Sequence, residues 1–243
     1  AYVRPVVEKY LRKLGDRLRE TGYQGPVLII LSHGGVAPID EAVRLAAGTV
    51  LSGPAGGVAG SRYGSSLIGA ENLVPFDMGG TSTDISMIVN GEPALSSTRG
   101  IAGQRVALQS LDIVSIASGG GSIARVDNGG ILRVGPESAG AVPGPACYGK
   151  GGVEVAVTDA SVVLGFLDPN NFLGGRESLD KEAAEVAVDK LASKLSVSRA
   201  EAAEGVHRVI NTQMAEGIRL VSVRRGVDPR KFALLSFGGA DLS

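Results

Sequence analysis

One stretch constrains the fold of this chain more than any other: residues 77–84, which read Asp-Met-Gly-Gly-Thr-Ser-Thr-Asp. The apolar residues 74–76 lead into it, and the strand-like run of residues 85–89 leads out of it to Asn90-Gly91. Because Asn-Gly between apolar runs is a strong hairpin signal, the pattern predicts a strand, a glycine turn, a strand, a second turn and a third strand.

The same stretch carries groups that suit a phosphate and a hard cation. Gly79 and Gly80 leave backbone N–H groups uncovered, so an anion can approach them closely. Thr81 and Thr83 add hydroxyl donors, and Asp77 adds a carboxylate of the kind that binds Mg²⁺. Two interpretations stay open: a phosphate-binding hairpin, which we favour because an aspartate stands at each end, and a tight turn whose glycines only reverse the chain.

The composition excludes several classes of protein. With 243 residues, 44% of them hydrophobic, the chain can form one large domain or two lobes around an aliphatic core. A net charge of -1 and the lack of a basic stripe argue against nucleic acid as a partner. No apolar run reaches the ~18 residues of a membrane span. One cysteine excludes an internal disulfide and fits the cytoplasm.

The first 70 residues predict alternating helices and strands. Helical spacing of apolar residues predicts a helix over residues 3–20. The continuous apolar run of residues 26–31 predicts a strand buried on both faces. Further helices are predicted over residues 38–47 and 52–67, each with a proline in its first turn. This order indicates an α/β layer.

Residues 98–152 form a glycine-rich insertion in which we expect short strands near residues 123–127 and 131–135. Gly119, Gly120 and Gly121 form either a second anion nest or a flexible turn. A further apolar run over residues 153–157 precedes a short helix predicted over residues 161–167.

Two helices and a strand are predicted at the end of the sequence. The helices cover residues 179–195 and 198–225, and the second opens with the capping box Ser198-Arg199-Ala200-Glu201. Residues 232–237 predict a buried strand that stops at Gly238-Gly239. Since a domain rarely ends just after such a glycine turn, we expect the sequence to be part of a longer protein.

The order of these elements resembles the second lobe of the actin, sugar-kinase and heat-shock ATPase superfamily. The resemblance implies an α/β, actin-like ATPase (ribonuclease H-like) fold with a mixed sheet flanked by helices. Residues 1–70 would complete the first lobe and supply a crossing helix. Residues 71–243 would form the second lobe, with the phosphate hairpin at 77–84, the insertion at 98–152 and an adenosine-side turn at 237–240.

Local motifs are similar to the hydantoinase A / 5-oxoprolinase family over nearly the whole chain. They are S-G-P-A-G-G-V-A-G (52–60), F-D-M-G-G-T-S-T-D-I-S (76–86), G-G-G-S-I-A-R-V-D (119–127), V-G-P-E-S-A-G-A-V-P-G-P-A-C-Y-G (134–149), T-D-A (158–160) and F-A-L-L-S-F-G-G-A (232–240). The resemblance implies phosphoryl transfer from ATP to an oxygen of a cyclic amide or, in the carboxylase branch, of a ketone. It also implies Mg²⁺, a hydantoinase B-type partner subunit and an oligomer.

The resemblance assigns roles to individual residues. Asp77 would orient water or Mg²⁺ near the γ-phosphate, and Asp84 would be a second catalytic carboxylate or a strand cap. The residues expected to contact ATP are Gly79, Gly80, Thr81, Thr83, Gly119, Gly120, Gly121, Gly238 and Gly239.

Four other residues have reactive side chains. Asp159, after a predicted strand, either faces the site or is structural. Cys147 has no histidine nearby in sequence and is expected to be a buried filler. His33 is expected in a surface loop, and His207 on a helix surface or as a satisfied core residue. Their spacing gives no zinc site.

Three functions remain open: an ATP-dependent hydantoinase or oxoprolinase subunit, an ATP-dependent ketone carboxylase subunit, and a non-catalytic nucleotide-binding or assembly module. The family carries an earlier Asp-Gly-Gly-Thr loop, and nothing before residue 74 matches it. We therefore expect residues 1–243 alone to hydrolyse ATP weakly or not at all.

Overall fold

The computed structural model describes residues 2–101 and 104–240. Residues 102 and 103, which belong to the predicted insertion, and residues 241–243 lie outside the described part. The chain forms two compact units. The first unit contains Ala1–Pro75, Ser86–Ile113 and Lys231–Ala233, and the second contains Phe76–Ile85, Val114–Arg230 and Leu234–Ser243.

The described chain begins with a mixed part of helices and strands, continues with a long run of consecutive strands, and ends with three α-helices and a strand. The α-helices are α1 (Arg4–Glu20), α2 (Ile39–Arg44), α3 (Ser52–Ile68), α4 (Val157–Leu164), α5 (Lys181–Leu195) and α6 (Arg199–Val221). The strands are β1 (Leu28–Ile30), β2 (Val36–Pro38), β3 (Leu73–Met78), β4 (Thr83–Ile85), β5 (Ile88–Val89), β6 (Glu92–Pro93), β7 (Leu95–Ser96), β8 (Arg99–Ile101), β9 (Gln104–Val106), β10 (Ser110–Leu111), β11 (Val114–Ile116), β12 (Ser122–Val126), β13 (Leu132–Ser138) and β14 (Ala233–Phe237). Short 3₁₀ helices cover Ala46–Thr49, Ala146–Tyr148, Val223–Arg225 and Pro229–Lys231.

The first unit has a small core in which α1 packs on α2 and the hairpin of β1 and β2. Its buried members are Leu11, Leu31, Ala37, Ala42 and Val43. The predicted helices at 3–20 and 52–67 are confirmed as α1 and α3. The helix predicted at 38–47 is shorter, because Pro38 ends β2 and the chain turns into a 3₁₀ helix after α2.

The strand predicted at 26–31 is present as β1, but the prediction that it is buried on both faces is wrong. It pairs with β2 alone in a two-stranded antiparallel sheet, and Leu28 is 51% exposed. An apolar run without alternation does not distinguish a central strand from one strand of a partly covered hairpin.

The second unit contains the predicted hairpin. The end of β3 pairs antiparallel with β4, so that Phe76, Asp77 and Met78 face Ile85, Asp84 and Thr83 respectively. Strand β11 extends this sheet on the other side of β4. The single strand predicted at 85–89 is divided instead between β4 and β5, and β5 belongs to the first unit.

Helices α4, α5 and α6 pack together over the hairpin of β12 and β13 and form the main core. Val157, Val188, Val206 and Ile210 are almost fully buried in it. The predicted helices at 179–195 and 198–225 are confirmed as α5 and α6, including the capping box at Ser198, although α6 ends at Val221. Helix α4 begins earlier than predicted because the run before Asp159 joins its first turn.

Strand β14 pairs with β3. The prediction that it is buried is wrong, because Leu234 is 57% exposed. Among the described residues, no helix is both long and apolar enough to cross a membrane.

Candidate functional site

The hairpin of β3 and β4 places two carboxylates side by side. Asp77 and Asp84 are direct partners in the antiparallel register, and Ser115 on β11 is the next partner of Asp84. Directly opposed residues share a face of the sheet, so all three lie on one face, and the Ser115 hydroxyl donates a hydrogen bond to Asp84 Oδ1. Phe76 and Ile85 form a neighbouring pair on the buried face.

The turn between the two strands contains backbone N–H groups that have no acceptor among the described residues. Gly79 N–H donates to Ser82 O at 2.9 Å, which closes the turn. Gly80 and Thr81 are both exposed, and within the described chain the N–H of neither residue donates a hydrogen bond. Backbone N–H groups that donate no hydrogen bond within the described chain, on exposed residues next to the Thr81 hydroxyl, are suited to binding an anion.

Residues 119–121, here called the glycine loop, pack against this turn and donate hydrogen bonds to it. Their N–H groups donate, in chain order, to Ser122 Oγ, Gly79 O and Gly80 O at 2.9, 3.1 and 2.6 Å. All three donors are therefore used within the protein. The hypothesis that Gly119, Gly120 and Gly121 form an anion nest is wrong in this structure, because no N–H group of the loop remains for a ligand.

The absence of side chains lets the glycine loop approach the turn closely. A Cβ atom on Gly119 would lie 2.5 Å from Gly79 O, and one on Gly121 would lie 2.7 Å from Gly80 O. Since real Cβ atoms essentially never come within 3.0 Å of such a neighbour, packing on the turn accounts for both glycines.

Thr83 is fully buried, and its hydroxyl donates to Ser118 O at 2.6 Å. The side chain therefore joins the hairpin to the segment before the glycine loop. That position does not support the expected contact between Thr83 and phosphate. Thr81, which is exposed, retains the position needed for such a contact.

The two late glycines occupy different environments. Gly238 has φ +117°, and a Cβ atom there would meet Met78 O and lie 2.6 Å from Asp77 Oδ1. Its small size is therefore required by packing against the end of β3. Apart from its chain neighbours, no atom of the described residues lies within 4 Å of the Cβ position of Gly239.

A cavity of about 300 Å³ lies beside the turn in the second unit. Gly80 lines one part of it, and Gly239 and Ala240 line another. The remaining wall is largely apolar and aromatic, with one basic and one acidic residue; it consists of Ala141, Tyr148, Lys150, Thr158, Leu167, Phe172, Leu173 and Glu177. Gly80 and Gly239 therefore line the same cavity.

Sequence reasoning missed the aromatic and charged wall of this cavity. The rings of Tyr148 and Phe172 lie 5.7 Å apart, and the Lys150 ammonium lies 5.6 Å from the Tyr148 ring centroid. Lys150 directly follows the quoted motif at 134–149. A lysine after such a glycine-rich turn is the signal that could have identified it.

Asp159 is a buried structural carboxylate and does not line the cavity. It accepts hydrogen bonds from the N–H groups of Ala146, Cys147 and Ala156 at 3.1, 2.7 and 2.8 Å. Its neighbour Thr158 donates from Oγ1 to Gly120 O at 2.8 Å. The first turn of α4 therefore fixes both the Pro-Gly turn before Lys150 and the glycine loop.

The other reactive side chains, Cys147, His207 and His33, do not line this cavity. Burial and the nearby Asp159 carboxylate raise the pKa of the Cys147 thiol, which agrees with the expected buried filler. Burial lowers the pKa of His207. Its ring packs edge-on against Phe166, and its Nε2 lies 3.1 Å from Ser161 Oγ. His33 is exposed. No cluster of three or more metal-ligating side chains occurs among the described residues.

The mixed α/β fold matches solved structures of ATP-dependent enzymes. A nucleotide-free structure of acetone carboxylase aligns with a TM-score of 0.85 and 31% identity over 96% of this chain and 33% of its own. The ATP-dependent caprolactamase from Pseudomonas jessenii aligns with a TM-score of 0.80 and 38% identity over 98% of this chain and 34% of its own.

Sequence comparison then identifies the family. The hydantoinase/oxoprolinase family model matches residues 1–241, and the chain belongs to that family. It is 40% identical to 5-oxoprolinase 1 of Arabidopsis thaliana, over 99% of this chain and 20% of that protein. The chain spans about a third of the length of the first curated relatives that it matches (37%, 35% and 33%).

Proposed function

We propose that the chain is the nucleotide-binding part of an ATP-dependent enzyme that opens cyclic amides. The observation that carries the proposal is the opposed carboxylate pair Asp77 and Asp84 beside the exposed turn of Gly80 and Thr81. The turn can bind the anionic phosphates of a nucleotide, and the carboxylate pair can bind the cation that accompanies them. Membership of the hydantoinase/oxoprolinase family supports the reaction class.

In this proposal the γ-phosphoryl group is transferred to the carbonyl oxygen of the amide. The new bond joins that oxygen to phosphorus, and the bond to the β-phosphate breaks and releases ADP. Water then attacks the activated carbon, and the C–N bond of the ring breaks as the nitrogen takes a proton, which leaves an acyl phosphate. A second water hydrolyses the acyl phosphate to the carboxylate and inorganic phosphate. The N–H groups of Gly80 and Thr81 hold phosphate oxygens in position, and Asp77 orients the reacting groups.

The residues present fit a magnesium ion. Like charges directly opposed on one face of a sheet are destabilising, which a bound cation would offset, and carboxylate oxygens are ligands that Mg²⁺ prefers. Asp77 and Asp84 would hold the ion, with Asp77 as the principal ligand. Bound there, Mg²⁺ would neutralise charge on the phosphate oxygens.

The larger organisation belongs to the same proposal. The chain would have the actin-like ATPase fold, with residues 1–70 completing one lobe and residues 71–243 forming the second. Adenosine would lie in the cavity beside Gly239, where open space allows it. The enzyme would be cytoplasmic and would work with a hydantoinase B-type partner subunit in a hetero-oligomer.

A ketone carboxylase subunit is the second candidate, and the alignment with acetone carboxylase favours it. The hairpin does not separate the two reactions, because both activate an oxygen with ATP. A non-catalytic nucleotide-binding or assembly module is the third candidate.

The test measures ADP release by the full-length protein with its partner subunit. Release that depends on 5-oxoproline, a hydantoin or caprolactam supports the proposal. Release that depends on acetone or acetophenone with bicarbonate supports the carboxylase instead, and no release with any of them supports the non-catalytic module. The matched variants are Asp77→Asn, which should lose activity, and Asp168→Asn, an exposed aspartate that should keep it.

A further inference from the structure

The hairpin of β3 and β4 that forms the candidate phosphate site, residues 76–85, contains no lysine or arginine. Its two ionisable side chains are the carboxylates of Asp77 and Asp84. Phosphoryl transfer places negative charge on three phosphate oxygens, and enzymes offset it with metal ions and with Lys or Arg side chains. The cavity that begins at Gly80 contains one basic side chain among the described residues, and that residue is Lys150.

The ammonium of Lys150 is weakly held in this structure. Its one ion pair within the described chain is with Glu177, at 3.8 Å between Nζ and Oε2. Both side chains are about half exposed, at 47% and 53%. An exposed pair at this distance contributes little, in the range of about 0–1 kcal/mol, so an anion in the cavity competes with Glu177 at small cost.

The backbone before Lys150, by contrast, is firmly fixed. Asp159 accepts hydrogen bonds from the N–H groups of Ala146 and Cys147, and Cys147 O accepts one from Asp180 N at 2.7 Å. These hydrogen bonds hold the backbone just before Lys150, and a lysine side chain carries its ammonium on a flexible four-carbon stem. The ammonium can therefore change partners while the backbone that carries it stays in place.

We propose that Lys150 binds a phosphate oxygen of the nucleotide held at Gly80 and Thr81, and that it exchanges Glu177 for that oxygen when the nucleotide binds. The inference rests on the proposed ATP function and adds a specific residue to it. In the protein without nucleotide, the ion pair with Glu177 keeps the Lys150 ammonium inside the cavity.

A structural ion pair is the competing explanation, and the two explanations predict different variants. If the pair only stabilises the loop, Lys150→Gln and Glu177→Gln have the same effect. If Lys150 binds phosphate, Lys150→Gln weakens nucleotide binding, whereas Glu177→Gln leaves it unchanged or tightens it because the competing carboxylate is gone.

The experiment is calorimetric titration of the full-length protein with ATP, with inorganic pyrophosphate and with adenosine. For Lys150→Gln we expect about a ten-fold to hundred-fold loss of affinity for ATP and pyrophosphate, the usual size of a hydrogen bond to a charged group. Adenosine affinity should not change. Lys150→Arg should restore most of the loss, and the exposed control Lys194→Gln should bind as the wild type does.

Failure of this inference differs from failure of the proposed function. Wild-type protein that binds ATP while Lys150→Gln binds it equally well overturns the role of Lys150 and leaves the ATP function standing. Equal losses for Lys150→Gln and Glu177→Gln with all three ligands also overturn it, in favour of the structural pair. Wild-type protein that binds neither ATP nor pyrophosphate overturns both proposals.

Discussion

Asp77 and Asp84 are direct cross-strand partners on β3 and β4, and their side chains share one face of the sheet. The buried pair Phe76 and Ile85, one residue along, fixes this register. A slip by one residue would turn those two apolar side chains to the other face, at a large cost in burial. The core therefore holds the two carboxylates opposite each other on one face of the sheet.

Replacing Asp77 by Asn tests whether that arrangement serves catalysis. In the full-length enzyme we expect turnover to fall about 10²-fold or more, because a charge that positions the phosphates and their cation is lost. Steady-state ADP release at saturating ATP is the measurement. An unchanged rate would remove Asp77 from the site.

Replacing Asp84 by Asn tests the repulsion itself. Opposed like charges destabilise a sheet by roughly 0.2–1 kcal/mol, so without magnesium the free energy of unfolding should rise by about that amount. Asn keeps an oxygen that can accept from Ser115. Denaturant unfolding with and without Mg²⁺ measures it, and a fall in stability without the metal would show that the pair is not under repulsion.

The sequence predicted the hairpin because its signals are local. Asn90-Gly91, the paired glycines and the flanking apolar runs all act over a few residues. Strand β3 forms where they indicated, whereas the one strand predicted at 85–89 appears as β4 and β5. The role of Gly119, by contrast, could not be predicted from the sequence. Whether three glycines bind an anion or pack on another turn depends on a contact across 40 residues, between Gly119 and Gly79, that no local pattern encodes.

Tertiary partners also decided the roles of Asp159 and Lys150. A carboxylate after an apolar run looks the same in sequence whether it faces a ligand or accepts three backbone N–H groups, as Asp159 does. Lys150 had no signal beyond its place after a glycine turn. It stands out only once the cavity brings it together with Gly80.

Alanine at Gly80 and at Gly119 should have opposite consequences. A Cβ atom at Gly80 meets nothing within 4 Å, so Gly80→Ala should fold normally yet bind ATP weakly if a phosphate lies against it. Gly119→Ala should lose about 1–3 kcal/mol of stability, because its Cβ would lie 2.5 Å from Gly79 O. Thermal unfolding and ATP titration of both variants measure the difference. Full ATP affinity in Gly80→Ala would place the phosphate elsewhere.

Asn at position 159 should be strongly destabilising. An amide offers one oxygen, so the N–H groups of Ala146, Cys147 and Ala156 cannot all keep their acceptor, and the free energy of unfolding should fall by about 2–4 kcal/mol. The exposed Asp168, which accepts from Asn170 N–H at 2.9 Å, provides the matched control, and Asp168→Asn should cost less than about 1 kcal/mol. Chemical denaturation measures both. Similar values for the two variants would contradict the structural role of Asp159.

His207 should make stability depend on pH in the acid range. Burial lowers the pKa of the folded imidazole below 6.5, the ordinary value, which the unfolded chain keeps. Below about pH 6.5 the unfolded state therefore binds more protons, and stability falls as the pH falls, by at most about 1.4 kcal/mol per pH unit for this one group. Above that range the imidazole is neutral in both the folded and the unfolded state, so His207 adds no pH dependence to the free energy of unfolding. His207→Gln should reduce the slope between about pH 6.5 and 5 while leaving the slope near pH 8 unchanged. Urea unfolding across this range measures it, and a variant whose slope equals that of the wild type would show that His207 is not the titrating group.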